Sequence, residues 1–176
     1  MSQLIVPVTA TDHIQGTPDA AVTLVEYGDF ECGYCGQAAP DVRRVQDHFG
    51  GRLRFAFRHF PLTEIHPFAE EAAEFAELAG AHGKFWEAHD QLYARQDELG
   101  FPLLASIAGG LGLPQHELQA ALARRTYAPR IRADFEGGVR SGVNGTPAFY
   151  VNGRRHDQAY DYDGLRTAIE ARLALA

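Results

Sequence analysis

Runs of apolar residues with different periods divide the chain into three stretches. Val22-Thr-Leu-Val-Glu-Tyr27 is a short β-branched run, which predicts a buried strand. Gly28-Asp-Phe-Glu31 leads out of it, and from Cys35 to about Phe49 the pattern predicts a helix closed by Gly50-Gly51. Pro40 lies inside that helix and removes the bond to the carbonyl four residues back, so a kink is expected there. Leu53, Phe55 and Phe57 then alternate with Arg52, Arg54, Ala56 and Arg58, a period of two that predicts a second strand. Strand, helix and strand at this spacing form a βαβ unit, with parallel pairing and a right-handed crossover.

Between about Pro67 and Val143 the pattern predicts helices and no strand. Phe68, Ala72, Phe75, Ala76 and Ala79 form one apolar stripe, and Glu70, Glu74 and Glu77 opposite it read as a solvated face. Further helices are expected from near Lys84, after Pro102, from near Pro114, and from Arg130 to Arg140. Phe85, Trp86 and Tyr93 read as helix core. Strand signals resume at Pro147-Ala-Phe-Tyr-Val151. Asn152-Gly153 suits a type I′ hairpin, with Arg154 to Asp157 as the returning strand. Asp163 is expected to cap a last helix whose Leu165, Ala168, Ile169 and Leu173 share a face. The order predicts one α/β domain made of residues 1–63 and 142–176, interrupted by a helical insertion over 64–141.

A chain of 176 residues with 45% hydrophobic content can fill one core, which excludes disorder as its main state. Its net charge of −7, with adjacent basic residues running no longer than short pairs, excludes a basic stripe and makes nucleic acid an unexpected partner. No apolar run approaches the roughly 18 to 20 residues that span a bilayer. The short apolar stretch near Met1 has no Lys or Arg before it, so no secretory signal is read. A cytoplasmic location is expected, or a periplasmic one if a leader has been removed.

The two cysteines, Cys32 and Cys35, stand in Cys-Gly-Tyr-Cys. Zinc is one reading of such a pair, but it needs further ligands, for which His59 and His66 are candidates by type. Two inert buried thiols are a second reading, disfavoured because a loop at a helix start tends to be exposed. Redox chemistry is the third, and the strand-to-helix setting favours it. A cysteine at a helix N-terminus faces free N–H groups and the positive end of the macrodipole, both of which favour thiolate. Lowering a thiol from about 8.5 to about 7 takes roughly 2 kcal/mol, more than the 0.3 to 1 kcal/mol of the dipole. A hydrogen bond from the Cys35 thiol or from a backbone N–H must supply the rest. Asp29 and Glu31 are expected to oppose it. Cys32 is then the attacking thiolate and Cys35 the resolving thiol.

Four segments carry a resemblance: Thr23 to Cys35, Phe57-Arg-His-Phe-Pro-Leu62, Gly83-Lys-Phe-Trp86, and Gly142 to Gly153. Over nearly its whole length the chain resembles the DsbA-like thiol–disulfide oxidoreductases of the thioredoxin superfamily. The resemblance implies a thioredoxin fold with a helical insertion, and a cis Thr146-Pro147 bond facing the cysteine pair. It implies that Glu26, six residues before Cys32, is a buried acid serving as base to Cys35; a Glu reaching water from a sheet edge is the competing reading. Gly33-Tyr34 sets redox poise in such proteins and here lacks the His of the strongly oxidising members, so their periplasmic oxidant role is not expected. Tyr34 and the main chain at Thr146 are candidates for substrate contact. His59 and His66 read as turn residues. Expected partners are protein or peptide thiols and disulfides, with a thioredoxin- or glutathione-type system as redox partner. No cofactor beyond a Cys32–Cys35 disulfide and no metal are expected. A redox-switched binding module or holdase without turnover is the alternative.

Overall fold

The computed structural model describes residues 2–175. Its five-stranded sheet has the order β1-β3-β2-β4-β5, built from His13–Gly16, Val22–Gly28, Leu53–His59, Ala148–Val151 and Arg154–His156. β2 and β3 pair in parallel through α1, Gly33–Phe49, as the βαβ reading requires; the other pairings are antiparallel. α1 starts two residues before Cys35 and runs through Pro40 to Phe49 without interruption. Between β3 and β4 come α2 (Ala69–Ala81), α3 (Phe85–Ala94), α4 (Phe101–Gly110), α5 (Gln115–Arg124) and α6 (Ala128–Arg140). Asn152 and Gly153 both have positive φ, 46° and 76°, and close the β4–β5 hairpin as an Asn-Gly turn should. The final helix, α7, spans Tyr162–Leu173; its cap is Asp161, not Asp163, because the Asp161 carboxylate is the one that accepts the Gly164 N–H, at 2.9 Å.

Both faces of the sheet are covered. Leu24, Phe55, Phe57, Phe149 and Val151 pack against α1, α7 and helices α2 to α5. Val25, Tyr27, Ala56, Ala148 and Tyr150 form a second core with Phe60, closed by Leu4 and Val8 of the N-terminal segment and Phe135 of α6. Helix α6, though it follows four helices in sequence, therefore lies on the sheet itself. A Cβ on its Gly138 would stand 2.7 Å from Phe60 Cδ2 and 3.0 Å from Tyr27 Cδ1, so only glycine permits this approach.

Double coverage explains two departures from the pattern. The alternation in β3 does not separate a dry face from a wet one: Arg58 is only 2% exposed. Its guanidinium donates to both carboxylate oxygens of Asp12, at 2.7 and 3.1 Å, and to Tyr27 Oη and the Val6 and Pro7 carbonyls. The expected solvated face of α2 is likewise not solvated, since α2 is wedged between the sheet edge and α5 and α6. Glu74 and Glu77 are buried; Glu74 accepts the Tyr127 N–H at 2.9 Å, and Glu77 accepts from His13 and His59. Phe68, counted in the apolar stripe, precedes the helix and is 40% exposed. β1 was not anticipated at all; His-Ile-Gln-Gly is too short to carry a period.

Removing Asp12 strands a buried guanidinium. Asp12→Ala is expected to destabilise the protein by about 3 to 5 kcal/mol, read as a lower urea midpoint at unchanged slope. A loss under about 1 kcal/mol would place Arg58 in contact with water instead.

Candidate active site

The apolar strand β2 delivers the chain to the cysteine pair through Gly28 and Asp29. A Cβ at Gly28 would meet Phe57 Cε2 at 2.4 Å and Tyr93 Oη at 2.8 Å, so this exit from the strand must be glycine. Cys32 is the N-cap residue of α1, and its carbonyl accepts the Gly36 N–H at 3.1 Å. Its Sγ lies 3.3 Å from the carbonyl oxygen of Thr146, just ahead of β4. The Thr146–Pro147 peptide is cis. The Thr146 hydroxyl is buried without another hydrogen-bond partner and is free to turn toward the sulfur.

The two thiols, both unoxidised, have opposite environments. Cys32 is lowered from 9.0 to about 5: the hydrogen bond from the Cys35 thiol contributes most, burial works against it, and Thr146 and the Tyr34 and Cys35 amides add to it. Cys35 is fully buried and is held well above 9.0, first by burial and then by giving its proton to that same hydrogen bond. Sequence reasoning anticipated this ordering. It did not anticipate that Cys32 itself is only 5% exposed, so exposure alone does not separate reactive from inert thiols here.

Glu26 sits on β2, the central strand, which removes the sheet-edge reading. It is 2% exposed and raised from 4.5 to about 8, mainly by burial and secondarily by the Cys32 charge. A cavity of about 210 Å³ beside it is lined by Glu26, Gly36, Ala39, Arg43, His89 and Tyr93. Glu26 Oε1, His89 Nε2 and Tyr93 Oη are buried without hydrogen-bond partners. Burial keeps His89 below its usual value, hence neutral at pH 7.

Asp29 and Glu31 do not act as free charges near the thiols. Buried Asp29 accepts from the Glu31 and Leu62 amides and pairs with His66 Nδ1 at 2.7 Å, while Glu31 accepts the Phe68 N–H. Each carboxylate is thus spent on shaping the loops around the site. Gln96, in the short 3₁₀ turn after α3, donates to the carbonyls of both Phe30 and Cys32, at 2.8 Å each. No sequence signal marks a single glutamine in a turn, and it was missed. Tyr34 is 63% exposed beside the pair, and a Cβ at Gly33 would meet nothing, so neither position is sterically constrained. His59, at the end of β3, and His66 are engaged by Glu77 and Asp29. Among the described residues, the group with metal-ligating donors within 4.8 Å of one another is His13, His59 and Glu77, and it does not include the cysteines.

Comparison with known proteins identifies the family of the fold. The family model described as thioredoxin matches residues 8–171. The oxidised BdbD of Bacillus subtilis superposes with a TM-score of 0.83 at 26% identity, over 93% of each chain. A thioredoxin-like oxidoreductase from Silicibacter pomeroyi gives 0.80 at 26% identity, over 96% of this chain and 95% of the other. The α-DsbA1 of Wolbachia pipientis shares the fold, with a TM-score of 0.84 at 18% identity over 98% and 95%. The chain belongs to the thioredoxin family. Among curated proteins it is 48% identical, over 97% of its length, to a Na(+)/H(+) antiporter NhaA 1 of Salinispora arenicola, and 40% identical, over 91%, to one of a Mycobacterium strain. The chain spans 26% of the length of each of these relatives.

Proposed function

We propose that this protein exchanges disulfides with protein or peptide substrates through Cys32 and Cys35. The observation that carries the reading is the asymmetry of the pair: one thiol lowered to about 5, its neighbour held well above 9.0. The Cys32 thiolate attacks a substrate disulfide and forms a mixed disulfide; Cys35 then attacks Cys32, releasing reduced substrate and leaving the Cys32–Cys35 disulfide. The reverse sequence oxidises a substrate dithiol and leaves the enzyme reduced. A low Cys32 value stabilises the reduced enzyme and so favours this oxidising direction. Tyr34, between the two cysteines, and Phe68, whose N–H donates to Glu31 beside Cys32, are both exposed and give the neighbourhood of the site the apolar character that suits unfolded chains. Insulin reduction, and oxidation of a reduced peptide, both followed against glutathione, test the reading; no turnover in either direction rejects it in favour of a redox-switched binding module.

The antiporter relatives favour one specific form of that second reading, in which a domain of this kind conveys thiol redox state to a sodium–proton antiporter. Antiport measured in vesicles with and without the oxidised protein decides it, and equal rates eliminate it.

Glu26 is proposed as the base that takes the Cys35 proton. The release of mixed disulfide is then expected to rise with pH up to about 8, and Glu26→Gln to lower it about 100-fold and remove that inflection. Its stability effect has the opposite sign. A folded value raised above 4.5 favours the native state fully below pH 4.5 and loses that contribution as pH rises through about 8. Glu26→Gln should therefore be more stable than the parent at pH 8, by a few kcal/mol, with the gain vanishing near pH 4.5. A gain independent of pH would mean that Glu26 is not the titrating group.

A further inference from the structure

Beside Phe57 and Phe85, three potential metal ligands from three elements meet. His13 lies on β1, His59 ends β3, and Glu77 faces them from α2. Both imidazole Nε2 atoms contact the same carboxylate oxygen, Glu77 Oε1, at 2.6 and 2.8 Å. The His13 ring is stacked on Phe85, centroids 3.4 Å apart and planes 4° from parallel, which fixes the direction of its Nε2. The His59 and Glu77 side chains are 1% and 9% exposed, that of His13 17%, so the cluster is closed on the inside and reachable from the His13 side.

We propose that His13, His59 and Glu77 form a binding site for a divalent d-block cation, with zinc the best match to the donors. Two imidazoles and one carboxylate are the set that zinc accepts when one position is left to water. Two nitrogens among three donors disfavour calcium and magnesium, which select oxygen. Tetrahedral bonds of about 2.0 to 2.1 Å separate neighbouring donors by about 3.3 Å, so the present contacts need to open by well under 1 Å. Each imidazole then carries its proton on Nδ1 and turns a lone pair to the metal. Asp134 accepts the His59 backbone N–H at 3.1 Å, which fixes the end of β3 beside the cluster. The bound cation would tie the edge strand, the end of β3 and the helical block together, a clasp separate from the thiol chemistry.

The test uses the oxidised protein, in which Cys32 and Cys35 offer no thiolate. Zinc titration by calorimetry is expected to give one site of micromolar affinity or tighter. His13→Gln, the replacement at the most exposed of the three ligands, should weaken it at least 100-fold. Zinc at a hundredfold excess over Kd should raise the Tm by about 5 to 10 °C, and His13→Gln should abolish the rise. A wild-type measurement guards against misfolding of the variant: Co2+ should produce paramagnetically shifted NMR signals from two histidine rings. Less than a tenth of an equivalent of zinc bound, equal binding by a folded His13→Gln protein, or no shifted histidine signals would overturn the site.

Discussion

Cys35→Ser is expected to accumulate covalent complexes with client proteins that vanish on adding dithiothreitol, whereas Cys32→Ser traps at least about 100-fold less. The first variant keeps the attacking sulfur and removes the group that resolves the mixed disulfide. Its sulfur also loses a hydrogen bond from a thiol but gains one from the serine hydroxyl, so Cys32 should remain largely thiolate. The second variant leaves only Cys35, which burial holds well above 9.0, so at most about 1% is thiolate at pH 7. Cys35 is also 0% exposed, and a client disulfide has no route to it without opening α1. Non-reducing gels of complexes pulled down with each variant provide the measurement. Trapping by Cys32→Ser and not by Cys35→Ser would reverse the roles, and trapping by neither would end the case for exchange with proteins.

The second large effect is on reactivity and stability as functions of pH. Iodoacetamide should modify Cys32 at a nearly constant rate from pH 9 down to about 6, then more slowly as pH falls through about 5. Because its folded value lies below the unfolded one of 9.0, the thiolate's stabilisation is complete above pH 9 and is lost as pH falls toward 5. Each pH unit inside that window is worth about 1.4 kcal/mol at most. Glu26 acts with the opposite sign between 4.5 and about 8. From pH 5 to 8 the two nearly cancel in reduced protein, so its stability stays flat. Oxidation removes the Cys32 contribution and leaves that of Glu26, so the oxidised protein should lose stability with rising pH. Urea unfolding of both forms over this range should show the gap growing in favour of the reduced form, and a constant gap would refute the Cys32 assignment.

The parts of this site that were legible in the sequence are those with a local cause. Cys32 and Cys35 follow an apolar β-branched run and precede a helical pattern, which places the first at a helix start and the second one turn in. Glu26 stands within that same run, so its burial was readable too, although its place on the central strand needed the sheet order. Arg58, Glu74, Glu77 and His59 were not legible, because their burial depends on elements distant in sequence closing over them. Arg58 is covered by the segment around Val6 to Asp12, which has no periodicity of its own, and Glu77 by His13 of a four-residue strand. The pairing of a polar side chain across such distances leaves no trace in a window of neighbours. Gln96 is a further case: its two bonds reach 64 and 66 residues back along the chain.

The sheet is short at both margins: β1 has four residues, and β5 has three, two of them arginine. The outer side of β5 is already engaged, with Gln3 bridging to Arg154 and the Arg155 N–H donating to the Ser2 carbonyl at 3.0 Å. The proposed exchange with unfolded chains would bring extended, sticky backbone to the protein continually, and a long bare margin would let that backbone zip on as an extra strand. Here the margins are too brief, too charged or already taken for a client to adhere there. Under the proposed exchange, clients would come and go by sulfur chemistry, and the protein itself is expected to stay free of aggregates in the presence of unfolded substrates.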